Sequence, residues 1–567
     1  MRPFLVTELQ AGKLPRWALL ALCALYVLPG FVGRDPWRTD DAAGFGVALT
    51  MARGGWADWL LPNIAGEPVV TEGPLPFWIG AAFARALPFV SEHSAVRAAA
   101  VAGVAGLLVV LWYAVYALVK RPGVLPSDPF GASATRVDFG RAVADSAILI
   151  LLASLGVVAK LHETASEAAQ MALVGLCLYA LAVALERPAR GGALAGAAIA
   201  ATVATRGLVP AAALLATACA LPAVCRPYRL GLARWLPACI AVAAVGALAW
   251  PAALATIPGA GARHLAGWLE WNRSQLAGLD GAALRYLART LPWYFWPAWP
   301  MAAWALWRWR GRLSEPAVSL PLTALVATGA AALATAAGAE SQLPLVMLPL
   351  AMLAAVGLPT LTRAVVSLID WFAVMTYSVI GFVVWAYWLA FVTGYPPKMA
   401  FAAARIAPGF EPRWLVVDVV LGVAATLAWI ALVRWRVSRQ PPMIWRAVVL
   451  SSGGLVLAWS LLMTLWLPAF DARNTYRDVA QQVAQAIGAD TGCVATRSLG
   501  PAQRASLYYF GRIRFGSDDA RCPWTLAQDD GPLARTAATP DPGWRLAWEG
   551  SRLRDPDERL RLYRRVD

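Results

Sequence analysis

The sequence predicts an all-α polytopic membrane protein of about thirteen transmembrane helices, followed by a small C-terminal α/β domain outside the cytoplasm. Three observations carry this. Of the 567 residues 59% are hydrophobic, and mean hydropathy is +0.56, well beyond an ordinary soluble domain. Many windows of roughly 17–22 residues are almost free of charge, the length that crosses a bilayer as a helix. The arginines fall in short clusters between those windows. A net charge of +15 would otherwise suggest nucleic acid. No basic helix with interleaved aromatics appears, so that partner is set aside, and the clusters are read as reporters of orientation.

Apolar stretches fall near 17–33, 98–118, 143–161, 166–186, 192–208, 209–225, 231–256, 291–309, 317–337, 343–358, 366–394, 413–435 and 446–467. A further stretch, 75–90, is short and interrupted by Arg85 and by Pro74, Pro76 and Pro88. If it does not span, the loops carrying Lys120–Arg121, Arg187 and Arg190, Arg226–Arg234, Arg308–Arg312 and Arg434–Arg446 all face the cytoplasm, as the positive-inside rule demands. If it spans, every one of those clusters is translocated. The expectation is therefore a membrane part over residues 1–466 with a cytoplasmic N-terminus, with 75–90 as an interfacial or re-entrant helix covered by protein. Arg2, Lys13 and Arg16 precede the first apolar run without a small-residue cleavage site, which reads as a retained span.

Residues 467–567 form the expected outer domain, with a helix over Asn474–Ile487 and strands at Cys493–Arg497, Ile513–Phe515 and Trp544–Trp548. Cys493 and Cys522 lie there and can pair if the tail is outside the cytoplasm. The other five cysteines sit in or beside apolar spans and read as small hydrophobes. Segment 119–142 reads as a flexible cytoplasmic loop. No pair of matching broken helices divides the chain into halves, the pattern that points to a secondary transporter.

This topology sends a set of polar groups to the outer face: Asp40, Asp41, Glu72, Lys160, His162, Glu163 and Arg206, then His264, Glu270, Asn272, Arg273 and Arg289, and finally Glu340 and Gln342. Ionisable groups at the mouth of a membrane protein are costly and usually face a cavity or a substrate. Carboxylates beside cations suit group transfer from a phosphate: a carboxylate acts as general base and Arg or Lys holds the phosphate. A divalent metal ion held by oxygen ligands could serve the same site, with Glu72 and also His264 as possible ligands, although no spacing forms a dedicated metal motif. Each element has a plainer reading alone. Asp40–Asp41 suits a helix start, His162–Glu163 a solvated helix end, His264 an interfacial loop, and Trp293–Trp296 with Trp299 an aromatic belt. Convergence on one face is the signal.

The first outer loop resembles that of the GT-C glycosyltransferases of the protein O-mannosyltransferase and lipid A 4-amino-4-deoxy-L-arabinose transferase superfamily. The similarity follows Asp40–Asp41, Met51, Trp59, Pro62 to Gly66, Glu72-Gly73-Pro74-Leu75 and Trp78, and continues at Ser91–Arg97, His162–Glu163, Arg206–Gly207 and Ser341-Gln342-Leu343-Pro344. It is strong only over residues 36–97. The resemblance implies a thirteen-span layout with an outer C-terminal domain in a bacterial inner membrane. It also implies transfer of a sugar from a polyprenyl-phosphate donor to lipid A, another envelope glycan or a protein at the periplasmic face. Asp40 or Asp41 would then be the base, and Glu72, Lys160, His162, Glu163, Arg206, Arg273 and Arg289 would bind donor phosphate or substrate.

The chain departs from that pattern at Gly73, or at Glu72 itself if no gap is placed, and at Gln342, where the family has Lys, at Ala43–Gly44, where it has Arg-Tyr, and at Leu345, where it has Tyr. Lys160, Arg206, Arg273 and Arg289 are the cations able to replace the lost phosphate contacts. Two other functions fit the same residues: a transporter or flippase of a lipid-linked intermediate, and a catalytically silent scaffold derived from such a transferase.

Overall fold

The computed structural model describes residues 6–38, 40–124, 134–276, 281–335, 339–438, 443–488, 492–516, 522–531, 534, 542–555 and 557–566. Of the expected loop at 119–142, residues 125–133 lie outside the described residues, as do the side chains of Glu340 and Ser341, and residues 136–142 belong instead to the helix Arg136–Leu152. Among the described residues eight helices are long and apolar enough to cross a bilayer, and a ninth if Arg136–Leu152 and Leu155–His162, bent by 63°, make one span. The thirteen expected stretches all become helical, but four fall short of a span by these measures. Arg16–Val27 and Leu208–Val224 are shorter apolar helices, the 291–309 stretch breaks between Gly281–Tyr294 and Ala298–Trp309, and Pro188–Arg206 carries arginines near both ends. Length and apolarity alone therefore support eight or nine spans.

Helix Pro188–Arg206 is held in the bundle by small residues rather than by apolar bulk. A Cβ at Gly192 would stand 2.0 Å from the Trp235 carbonyl oxygen, and one at Gly196 2.4 Å from that of Cys239. These glycines, four apart on one face, let the helix lie backbone to backbone against Leu232–Leu254, the way helices associate where lipid removes the hydrophobic driving force. Gly196→Leu is expected to lower stability by roughly 3 kcal/mol, at the upper end for an overpacked contact. Gly329→Ala, where a Cβ meets nothing within 4 Å, should leave thermal unfolding in detergent unchanged.

Residues 75–90 form the helix Leu75–Ala86, 12 residues long. That is about 18 Å at 1.5 Å per residue, too short to cross. It packs with the helix Asp40–Arg53 and the start of Glu92–Val119. A two-residue hairpin, β1 (Asn63–Ile64) and β2 (Glu67–Pro68), turns through Ala65 and Gly66 at φ 48° and 91°, the left-handed pair that a tight hairpin requires.

The C-terminal region is a four-stranded sheet ordered β3 (Val494–Arg497), β4 (Trp524–Asp530), β6 (Glu558–Arg565), β5 (Trp544–Gly550). β3 and β4 run parallel, and β4–β6 and β6–β5 antiparallel. Helices Arg477–Ile487 and Pro501–Phe510 complete a core containing Tyr476, Val483, Leu507, Trp524 and Leu562. Cys493 and Cys522 are joined in a disulfide. The expected helix from Asn474 starts at Arg477, because Leu467–Asn474 is a helix of its own that ends before the extended Thr475. The expected strand at 513–515 amounts to one bridge between Val494 and Phe515.

This region grips the segment after the Arg16–Val27 helix directly. Arg504 donates from Nε to the Ile64 carbonyl (2.8 Å) and from Nη2 to that of Ala65 (2.9 Å). Gly46 lies so close to Ala505 that a Cβ there would be 2.4 Å from the alanine methyl. Asp35 pairs with Arg477 and accepts from the Thr475 hydroxyl at 2.8 Å.

Candidate functional site

The helix Asp40–Arg53 begins with two carboxylates, where unpaired N–H groups and the helix dipole favour negative charge. They face opposite ways. Asp41 is fully buried. Its Oδ2 accepts from the Trp37 N–H at 3.1 Å and lies 3.2 Å from Arg34 and 3.5 Å from Arg97. Its Oδ1 accepts from the Thr164 N–H at 2.7 Å and from the Thr164 hydroxyl. Burial alone would raise its pKa, but Arg34, Arg97 and Thr164 together hold it down at about 2. Arg97 also donates to the carbonyls of Phe31 (3.0 Å), Arg34 (2.7 Å) and Asp35 (2.9 Å). Asp41 thus ties the loop after the first helix to the Glu92–Val119 helix and to Thr164. Gly44 permits the approach: a Cβ there would stand 2.1 Å from the Thr164 carbonyl oxygen.

Asp40 points outward, with two thirds of its side chain exposed, and accepts from Lys160 Nζ at 3.1 Å. The same ammonium lies 3.3 Å from Glu163 and 4.0 Å from Glu167. Arg206, buried, pairs with Glu72, donates to the Ser166 hydroxyl at 3.0 Å and lies 3.7 Å from Glu167. Ser166 in turn donates to Glu72 at 2.8 Å. Four carboxylates and two cations from five chain segments meet here. Glu167 is the member that sequence reasoning passed over. Its signal was a carboxylate in the first turn of an apolar helix, Ser166–Ala184, which is costly unless paired.

The backbone explains Gly73, set against a lysine in the resembled glycosyltransferases. Its N–H donates to the Thr205 carbonyl at 3.0 Å, and a Cβ would stand 2.1 Å from the Ala204 carbonyl oxygen. No side chain fits between this loop and the end of the Pro188–Arg206 helix. The cation beside Glu72 comes instead from Arg206, on that neighbouring helix. The helix stops at Gly207 (φ 84°), and Asn272 Oδ1 accepts from the Leu208 N–H at 2.6 Å.

The remaining expected residues lie apart from the cluster. His162 is buried with both ring nitrogens on carbonyls, those of Val158 and of Tyr26 (the latter at 2.7 Å), and packs against Trp459. Arg273 and Arg289 are exposed on the helices Ala260–Ser274 and Gly281–Tyr294. Gln342 is buried in a ladder of amides, accepting from Gln170 (3.3 Å) and donating to Gln275 (3.0 Å), and Leu345 is buried. His264 meets Trp250 edge-on and lines a cavity of about 450 Å³ with Asp58, Asn63 and Arg263. A metal ion does not fit the expected ligands as they stand. Glu72 is committed to Arg206 and Ser166, and no three His, Cys, Asp or Glu side chains converge as a metal-binding group among the described residues. A second cavity, of about 300 Å³, opens beside Thr164 and is lined mainly by small apolar residues, Gly44, Gly80, Ala99, Gly103 and Ala168 among them.

Burial pushes the Glu163 carboxyl up to about 7, with Lys160 pulling it down and Asp41, Glu167 and Asp40 adding to the rise. From pH 4.5 to about 7 the folded chain therefore keeps a proton that the unfolded chain releases. Stability should fall as pH rises through that window, by roughly 3 kcal/mol from this group. Thermal unfolding compared at pH 5 and pH 8 should show a smaller difference in Glu163→Gln than in the native chain.

No protein-family model matches the chain, and no curated protein sequence matches it. Solved structures do. The structure of ArnT from Cupriavidus metallidurans bound to undecaprenyl phosphate is similar with a TM-score of 0.68 at 15% identity, covering 96% of this chain and 97% of that one. The apo form of the same protein gives a TM-score of 0.63 over the same shares. The oligosaccharyltransferase AglB from Archaeoglobus fulgidus gives 0.47 at 11% identity, covering 90% of this chain and 68% of that one. At such identity the likeness is one of fold. The fold expected from the first outer loop is therefore the fold of nearly the whole chain, multi-pass, helical and ArnT-like, with a small sheet at the C-terminus.

Proposed function

We propose that this protein is a membrane glycosyltransferase that moves a sugar from a polyprenyl-phosphate donor to an envelope acceptor (lipid A, another glycan or a protein hydroxyl) at the periplasmic face of a bacterial inner membrane. The observation that carries the reading is the coincidence of an ArnT-like fold over 96% of the chain with a cation–carboxylate cluster that joins Asp40 and Glu72 of the first loop to Lys160, Glu163, Glu167 and Arg206. The related structure holds undecaprenyl phosphate, which supports a polyprenyl phosphate as the lipid partner. The Cys493–Cys522 disulfide belongs in an oxidising compartment and supports a periplasmic domain over residues 467–567. The arginine clusters support a cytoplasmic N-terminus.

In this reading Asp40 is the base, because it is the acidic residue of the pair with its carboxylate open to a substrate. Asp41, with both oxygens occupied, positions the helix that presents it. Asp40 takes the proton of the acceptor hydroxyl as its oxygen attacks the anomeric carbon. The bond from that carbon to the phosphate oxygen breaks, and polyprenyl phosphate leaves with the electron pair, inverting the carbon. Arg206 and Lys160 lie where they can stabilise the phosphate as its charge develops. The small-residue cavity beside Thr164 offers room for apolar substrate parts.

Mass spectrometry of envelope lipids and glycans from a strain lacking the chain should reveal one missing sugar substituent. The native gene should restore it and Asp40→Asn should not, since a lost general base costs about 10²–10⁴ in rate. Restoration by Asp40→Asn would favour the silent scaffold. A lipid-linked intermediate that accumulates intact on the inner leaflet would favour the flippase.

A further inference from the structure

A third cavity, of about 420 Å³, lies between the helices Arg16–Val27, Glu92–Val119 and Arg136–Leu152. It has no part in the transfer described above. Arg16 stands at the start of its helix, Arg141 in the second turn of its own, and Trp112 about two turns before Val119. All three therefore share one end of the bundle, which the orientation proposed above makes cytoplasmic. Leu19, Leu108 and Ile148 form the inner wall, while Leu20, Val109 and Tyr113 line the mouth and are themselves exposed. The mouth is thus apolar and lies on the lateral surface of the bundle, where lipid surrounds it.

Positive charge gathers at the same place. Arg16 donates from Nη1 to Asp145 at 3.1 Å, and the same oxygen accepts from Trp112 Nε1 at 2.7 Å. Asp145 is 1% exposed, a carboxylate that a helix in lipid keeps only with a partner. That bond holds the Arg16 guanidinium over the Trp112 ring, 5.0 Å from its centroid. About half of the Arg16 side chain stays exposed, and its planar fork carries further N–H donors. Arg141 lies 3.8 Å from Asp138, too far for a hydrogen bond. Lys13, Arg16 and Arg141 thus face two carboxylates, and Lys120 adds a fourth cation over Tyr116, which stacks on Trp112. Positive charge is in excess. Two guanidiniums above an apolar cleft match a phosphodiester whose chains continue into the membrane. Arg holds phosphate through its fork of N–H groups, and basic pockets between helices on the cytoplasmic side take anionic headgroups.

We propose that this cleft binds one anionic phospholipid of the inner leaflet, with its phosphate on Arg16 and Arg141 and an acyl chain along Leu20 and Val109. Trp112 and Tyr113 supply the amphipathic rings that sit at headgroup level. Only the choice of leaflet rests on the proposed orientation. The site itself is independent of the transferase reading and stands if that reading fails.

The test is native mass spectrometry of the purified full-length chain in detergent, titrated with phosphatidylglycerol or phosphatidylcholine, with thermal unfolding followed in parallel. The native chain should hold one phosphatidylglycerol at least tenfold more tightly than phosphatidylcholine, and should melt at a higher temperature with it. Arg141→Gln removes a guanidinium without stranding Asp145, and Val109→Trp fills the cleft while leaving every cation. Each should lower phosphatidylglycerol affinity at least tenfold. Arg310→Gln, on another basic segment, should change nothing. Equal affinity of the native chain for the two lipids would overturn the proposal, as would native affinity in a folded Arg141→Gln or Val109→Trp. An equal loss in Arg310→Gln would also overturn it, since it marks general attraction to a basic surface. So would inorganic phosphate that raises the melting temperature as far as the lipid does through Arg141, which marks a site for the free anion.

Discussion

Asp41→Ala is expected to cost about 3–5 kcal/mol of stability, the range for removing one partner of a buried ion pair, and to abolish transfer with it. Two arginines, Arg34 and Arg97, would remain buried without their shared carboxylate, and the Thr164 N–H and hydroxyl would lose their acceptor. Asp41→Asn should be milder, because an amide oxygen still accepts from Thr164 while only the charge is lost. The same contacts set an acid limit. A carboxylate held at about 2 when folded, against 3.8 when free, stabilises the chain above pH 4 and loses that contribution as pH falls toward 2. The contribution is roughly 2 kcal/mol. Thermal unfolding in detergent at pH 7 and pH 3, on native protein and Asp41→Asn, should show a gap that narrows on acidification.

The second large effect is at Arg206. Arg206→Ala strands Glu72 and Glu167, the latter nearly fully buried, and should also cost about 3–5 kcal/mol. In the transferase reading it removes a contact to the leaving phosphate, so kcat should fall at least about 100-fold. A double-mutant cycle separates the two roles. Combining Arg206→Met with Glu72→Gln should restore much of the stability, because Glu72 no longer leaves an unpaired charge and Glu167 still lies 4.0 Å from Lys160. Activity should stay low. Recovery of both would mean that Arg206 serves only to balance Glu72.

The first outer loop was legible because its chemistry is local. Acidic residues at a helix start, a short proline-broken helix and the order of aromatic and glycine positions all lie within residues 36–97. The opposite orientations of Asp40 and Asp41 were not legible. They depend on Arg97, on the Glu92–Val119 helix, and on Thr164, in the segment before the Ser166–Ala184 helix, both far along the chain. Gly73 looked like a lost cation, and the structure makes it a contact surface. The cation beside Glu72 is Arg206, 134 residues from Glu72 in sequence. Glu167 was hidden at the start of an apolar run, where nothing local announces its partners.

Length and apolarity alone do not confirm the count of thirteen spans, because a run of apolar residues does not reveal where a helix breaks. Residues 291–309 break near Pro297, and 17–33 is helical only through Val27. In the C-terminal sheet β6 was invisible, because Arg559, Arg561, Arg564 and Arg565 make Glu558–Arg565 read as a solvated tail. Its alternate residues Leu560 and Leu562 are fully buried, and Arg561 pairs across the sheet with Asp529 and Glu549.

The most direct measurement of the central claim is release of polyprenyl phosphate from a labelled polyprenyl-phosphate sugar by the purified chain, supplied with envelope acceptors. Release coupled to labelling of an acceptor is expected, reduced at least about 100-fold in Asp40→Asn while that variant unfolds at the native temperature. Acceptor labelling that proceeds unchanged in a folded Asp40→Asn would contradict it, as would intact donor recovered in full from the native chain.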